Sequence, residues 1–93
     1  MKYYYRSHLI RTSNRDYEYA VIIEYDDGQI TVCGCHGDYQ NACKRKAKME
    51  KHCLRYIEWI KKTNEIDPAK KAEYINSYEN SLNNFKIVKI EAR

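Results

Sequence analysis

The sequence predicts an α+β domain: a three-stranded antiparallel meander, then two helices, then a closing strand (βββααβ). Three observations carry this reading. Strand-forming residues flank an Asp27-Gly28 turn up to Cys35, the apolar spacing then changes to a helical period, and β-branched residues return from Phe85 to Ile90. Ninety-three residues with 43% apolar content suit one domain, residues 1–93, near the lower size at which burial offsets chain entropy.

The first strand is expected from Tyr3 to Arg11, and the polar segment Thr12-Ser13-Asn14-Arg15-Asp16 leads to a second from Tyr17 to Tyr25. Asp27-Gly28 is a pair that supplies positive φ in a two-residue hairpin. That turn pairs Tyr25 with Ile30, Ile23 with Val32 and Val21 with Gly34 on a strongly apolar face. The reverse face pairs Glu24 with Thr31, Ile22 with Cys33 and Ala20 with Cys35.

Gly37-Asp38 then breaks the chain and caps a helix. From Tyr39 to about Thr63, the residues Tyr39, Ala42, Cys43, Ala47, Met49, Cys53, Leu54, Tyr56, Ile57 and Ile60 cover roughly half of a helix surface. Such a helix is about 38 Å long and overhangs a nine-residue strand of about 30 Å. Asp67-Pro68 starts a second helix, a capping residue followed by proline at the first helical position, and Asn83-Asn84 ends it. The segment Phe85 to Glu91 forms the last strand. Two antiparallel helices deliver it antiparallel to the first strand, so the expected sheet order is 4-1-2-3 with the helices on one face.

Seventeen Lys and Arg against thirteen Asp and Glu give a net charge of +4, which permits binding to phosphate or acidic surfaces and argues against an acidic mimic of nucleic acid. No window approaches a membrane span of about 18 apolar residues, and Met1-Lys2-Tyr3-Tyr4-Tyr5-Arg6 lacks the apolar stretch of a signal peptide. The expectation is a cytoplasmic protein without a membrane partner. Its four cysteines then read as reduced thiols or metal ligands rather than a disulfide framework.

Cys33, Cys35, His36, Cys43, His52 and Cys53 fall close together in the chain. Cys43 and Cys53 on one helix are about 15 Å apart along its axis and cannot share an ion. Cys33, Cys35, His36 and Cys43 converge only if the helix starts close to the strand end, and they lack paired C-x2-C knuckles. The reading is no metal and no cofactor, with Cys33 and Cys35 packed on the second sheet face and Cys43 and Cys53 in the helix core. Cys35-His36 is weak as a nucleophile pair because adjacent strand residues point to opposite faces. Asp26-Asp27 is explained by turn chemistry. No hydrolase elbow, zinc-protease helix, phosphate loop or dinucleotide motif occurs, so no catalytic residue is assigned and the chain is read as a non-enzyme.

The informative feature is the polar side of the long helix. Lys44, Lys48, Lys51, Arg55 and Lys62 project within a sector of about 60°, with Trp59 beside them and Glu58 as the main interruption, forming a basic stripe roughly 27 Å long. A solvated helix face has the same composition; a phosphate backbone or a partner pocket for Trp59 is the functional reading. Tyr3, Tyr4, Tyr5, Tyr17, Tyr19 and Tyr25 crowd the meander, where one helix layer cannot cover every ring, so Tyr4 with Arg6 joins the expected contact surface.

Element order from Tyr3 to Cys35 and then Tyr39 to Thr63 resembles small integrase-arm and AP2-type DNA-binding domains, which implies a DNA- or RNA-binding module using the basic stripe. The Lys-, Asn-, Tyr- and Ile-rich usage resembles small phage and mobile-element proteins, anti-CRISPR proteins among them. That likeness is carried by Met1-Lys2-Tyr3-Tyr4-Tyr5, the helix from Ala42 to Ile60 and the closing Phe85 to Glu91. It implies an inhibitor of a host defence nuclease acting by surface occlusion. Its partner would be a protein complex of a defence system, a ribonucleoprotein included, with direct nucleic-acid contact open. The overhanging helix end leaves room for a homodimer.

Overall fold

The computed structural model describes all residues, Met1–Arg93. The elements are β1 (Lys2–Tyr5), β2 (His8–Thr12), β3 (Tyr19–Glu24), β4 (Ile30–His36), α1 (Tyr39–Lys62), α2 (Pro68–Asn83), β5 (Phe85–Lys89) and β6 (Glu91–Ala92). They form two separate three-stranded sheets, ordered β2-β1-β6 and β4-β3-β5. The class is α+β, but the single sheet of order 4-1-2-3 is not what the chain builds.

Two departures account for this. First, the segment from Tyr3 to Arg11 is a hairpin rather than one strand, with Tyr5 paired to His8 across Arg6-Ser7. Arg6 takes φ 54°, the left-handed region that a two-residue hairpin requires and a non-glycine residue rarely enters. No Asn-Gly or Asp-Gly marks that turn. It is held instead by the Arg6 guanidinium, which lies 4.9 Å from the Tyr5 ring centroid and 3.5 Å from the Glu24 carboxylate. Second, β5 pairs directly with β3, Val21 opposite Ile87 and Ile23 opposite Phe85. It takes the position the first strand was expected to hold. Both β4 and β5 run antiparallel to β3, so they are parallel to each other.

The turn after β3 also differs from the two-residue form. The Gly28 N–H donates to the Tyr25 carbonyl, the Tyr25 N–H donates to the Gln29 carbonyl, and Gly28 has φ 85°. This is a three-residue loop, a tight turn closed by a left-handed glycine. It moves the pairing by one, to Glu24 with Ile30 and Ile22 with Val32. A bulge at Cys33 then restores the expected partners, Val21 with Gly34 and Ala20 with Cys35.

β3 is the centre of the molecule. Ala20, Val21 and Ile22 are fully buried and Ile23 nearly so. Ala20 and Ile22 face the other sheet, packing with Tyr3, Cys35 and Ile90, while Val21 and Ile23 face the helices, packing with Ala42, Cys53 and Phe85. The layers are therefore sheet, sheet, helix. The bulge sends Cys33 to the helix-side core while Cys35 lies in the inter-sheet core, which corrects their expected placement on one face.

The tyrosines act as mortar rather than as an exposed face. Tyr3 is buried, its hydroxyl donating to the Arg15 carbonyl at 2.6 Å and accepting from the Tyr17 N–H at 3.2 Å. Tyr5 and Tyr17 pack around the inter-sheet core, and Tyr19 and Tyr25 around the helix-side core. Each of these rings brings apolar area and a polar tip, as a thin layered domain needs.

The helices start where their caps direct. The Asp38 carboxylate accepts from the Asn41 N–H at 2.7 Å, and Asp67 accepts from the Ala69 N–H at 3.0 Å with Pro68 opening α2. α1 is about 36 Å long against about 20 Å for β3. Ile57 and Ile60, in its distal part, are buried but belong to neither sheet-lined core. α2 packs on α1 at that end, Tyr78 stacking on Tyr56 with centroids 5.3 Å apart. The overhang gives a long axis of 47 Å and a radius of gyration of 15.5 Å, against about 12 Å for a compact domain of this length.

This layering makes two stability outcomes testable. Ile22→Ala leaves a cavity between the sheets and is expected to cost about 2–5 kcal/mol, whereas Leu9→Ala on an exposed strand costs within about 0.5 kcal/mol, by urea denaturation. Glu24 accepts from Lys86 Nζ at 3.1 Å and faces Arg6, and the Lys86 hydrogen bond chiefly holds its carboxyl below the ordinary range. A carboxyl lowered in the folded state stabilises it fully above the ordinary carboxylate value and loses that contribution as pH falls through the folded value. The gap in urea midpoint between wild type and Glu24→Gln should thus be wide near pH 7 and narrow near pH 3; a constant gap contradicts the assignment.

Candidate functional site

Helical spacing puts Lys44, Lys48, Lys51, Arg55 and Lys62 on the side of α1 opposite Ala42, Cys53 and Ile60, the residues it buries. All five are exposed, and none makes an ion pair or a hydrogen bond within the chain. The helix runs without interruption from Tyr39 to Lys62, so one element carries all five, with Glu58 standing between Arg55 and Lys62. The Glu58 carboxylate approaches Lys61, on a different sector, at 3.9 Å. Lys62 also lies in the last turn, where a cation complements the helix dipole.

Trp59 is 47% exposed and sits beside this stripe. Its ring meets Tyr56 edge-on with centroids 6.1 Å apart, and Tyr56 meets His52 at 5.3 Å. His52, Arg55, Tyr56 and Trp59 line a shallow depression of about 420 Å³. These four positions are i, i+3, i+4 and i+7 on one helix face. His52 and Tyr56 were not among the residues expected here, since Tyr56 reads as core. Tyr56 is instead 41% exposed, and Leu54 and Tyr39, also expected in the apolar sector, face solvent. The helical spacing of the four was the signal in the sequence that could have found them.

Tyr4 and Arg6 are not brought to this surface. They belong to the β1–β2 hairpin, which packs on the face of β3 away from the helices. Tyr4 is half-buried with the Arg93 guanidinium 4.9 Å from its ring, and Arg6, itself exposed, lies 3.5 Å from the Glu24 carboxylate.

Arg45, adjacent in sequence to the stripe, has a structural task. Its guanidinium donates twice to the Cys33 carbonyl, at 3.2 and 3.1 Å, satisfying the backbone oxygen at the bulge. Gly34 lies beside it: a Cβ there would be in ordinary contact with Arg45 Nε at 3.5 Å and tight against His36 Nε2 at 3.2 Å. Lys46 pairs with Glu50 at 3.1 Å on the half-buried side of the helix.

The cysteines do not converge. No three His, Cys, Asp or Glu side chains are placed to hold one metal ion. Burial pushes the Cys33, Cys35 and Cys53 thiols above their ordinary value, which is opposite to the activation a thiolate nucleophile requires. Asp26 and Asp27 stand at the hairpin tip, where the Asp27 carboxylate accepts from the Gln29 N–H at 3.0 Å. No helix is long and apolar enough to cross a membrane.

Comparison with family models, with curated proteins and with solved structures gave no match to this chain.

Neighbouring arginine and lysine should behave differently under substitution. Arg45→Ala removes both donors from a partly buried carbonyl and is expected to cost about 1–3 kcal/mol, while Lys44→Ala stays within about 0.5 kcal/mol by the same denaturation measurement.

Proposed function

We propose that the protein is a non-enzymatic binding module that docks through the outer face of α1 onto a macromolecular complex and acts by occlusion, as an inhibitor of a defence nuclease would. One observation carries this reading: five cations on one face of a continuous helix have no partner in their own chain, beside an exposed tryptophan. Unpaired charges in a row favour a polyanionic or acidic counterpart and accelerate encounter with it. Trp, Tyr and Arg are also the residue types that dominate binding energy at protein interfaces. The anti-CRISPR-like inhibitor is the particular form proposed, on the resemblance in size, usage and overall build.

A free-standing DNA- or RNA-binding module uses the same stripe and is the competing reading. A modest net charge of +4 and a single basic helix face support it less well than they support docking on a preassembled target.

Capture from cells that carry an RNA-guided nuclease, with a cleavage assay on the purified chain, tests the proposal. Expected are recovery of the nuclease complex and suppressed cleavage. The combined Lys48→Glu, Lys51→Glu and Arg55→Glu variant should weaken capture at least about tenfold with little change in melting temperature, since all three are solvent-facing. Full-strength capture by that variant, or uninhibited cleavage with no partner recovered, rejects the reading.

A further inference from the structure

From the geometry of the depression on α1 we infer that it is a stacking site for a base of single-stranded nucleic acid, with the lysine row tracking the adjoining phosphates. This inference rests on the reading of α1 as the docking face and names what that face touches. His52, Arg55, Tyr56 and Trp59 line the depression, and all four end in flat groups: imidazole, guanidinium, phenol and indole. No aliphatic side chain contributes. An aliphatic or branched anchor from a protein partner is held by a pocket that closes around it, whereas an open depression lined only by flat groups, its rings meeting at 58° and 73°, suits a planar ligand laid against one of them. Stacking on aromatic faces and on arginine is the usual way such a ligand is held without sequence preference.

The cations extend the site along the helix. Lys44, Lys48, Lys51, Arg55 and Lys62 recur at intervals of three, four or seven residues, so charge repeats about every 5–10 Å along one line. A polymer with charge at regular spacing matches that row better than an acidic peptide whose carboxylates alternate in direction. Arg55 belongs to both features, lining the slot and standing in the row, which places the base next to the phosphate track. A base inside a duplex has both faces stacked on its neighbours, so only an unpaired base offers a free face to this open depression. Tyr56 is braced from behind by Tyr78 at 5.3 Å, with ring planes only 19° apart, which holds its ring in place.

Trp59 is the sole tryptophan, so its fluorescence reports on the site directly. The full-length protein is titrated with a single-stranded oligothymidine, the same length of duplex, and poly-glutamate, at low and moderate salt. The expected result is strong quenching by the single strand alone, with log affinity falling against log salt at a slope of about −3, from four or five phosphates neutralised. By anisotropy of a labelled single strand, Trp59→Ala should bind about tenfold more weakly or worse, and Trp59→Phe, which keeps a stacking ring, should stay within about threefold of wild type. Equal quenching by duplex or poly-glutamate overturns the inference, as does wild-type binding by Trp59→Ala. No quenching by any nucleic acid, with the nuclease complex still captured, removes the stacking site and leaves the docking face intact; loss of capture as well removes both.

Discussion

Burial of β3 on both faces is the constraint on which the rest of the structure depends. A strand whose Ala20, Val21, Ile22 and Ile23 are all out of water needs apolar layers on two sides, and a chain of 93 residues has material for only thin ones. One side is covered by α1. The other takes the N-terminal hairpin, assisted by Ile90, which lies between β5 and β6 as the C-terminal chain passes from one sheet to the other. Tyrosine suits such layers, because the outer end of each ring reaches water or a backbone group while its body excludes water.

Electrostatics fastens the layers where apolar contact ends. Glu24, at the end of β3, receives Arg6 from the N-terminal hairpin and Lys86 from β5, so one carboxylate ties three segments distant in sequence. The same contact holds a turn whose backbone is disfavoured for arginine. At the opposite edge, Arg45 compensates for the bulge at Cys33, and it also covers a carbonyl on an edge strand that would otherwise invite pairing with another chain. These two arginines explain why the basic surplus is not uniformly available: some of it is engaged inside the fold. Lys44, Lys48, Lys51, Arg55 and Lys62, left without a partner, line up on one helix face, whereas the equally unpaired Lys2, Arg15, Lys70 and Lys89 are spread over other parts of the chain.

That alignment is what supports the proposed docking face. α1 is longer than the sheet it covers, and α2 supports the overhang, leaving a rigid convex rod with aromatic groups near its end. Rigidity matters because side chains on a braced helix lose less freedom on binding than side chains on a loop. Occlusion requires no catalytic group, and the raised thiols of Cys33, Cys35 and Cys53 are in keeping with a packing role for sulfur in this protein.

Local signals in the sequence determined the helices and the basic stripe. Asp38, Asp67 and Pro68 mark helix starts through their own chemistry, and helical spacing alone aligns Lys44, Lys48, Lys51 and Arg55. The apolar run in β3 was equally legible, though not what would cover its second face. Tertiary structure decided the turn at Arg6, the bulge at Cys33, the partner of β5 and the split into two sheets. Each depends on contacts between residues far apart in the chain, such as Arg6 with Glu24 or Phe85 with Ile23, for which a sequence carries no local mark. The slot around Trp59 lies between these cases: its four residues share a helix face by spacing, but only the way α2 packs left Tyr56 at the surface instead of in the core.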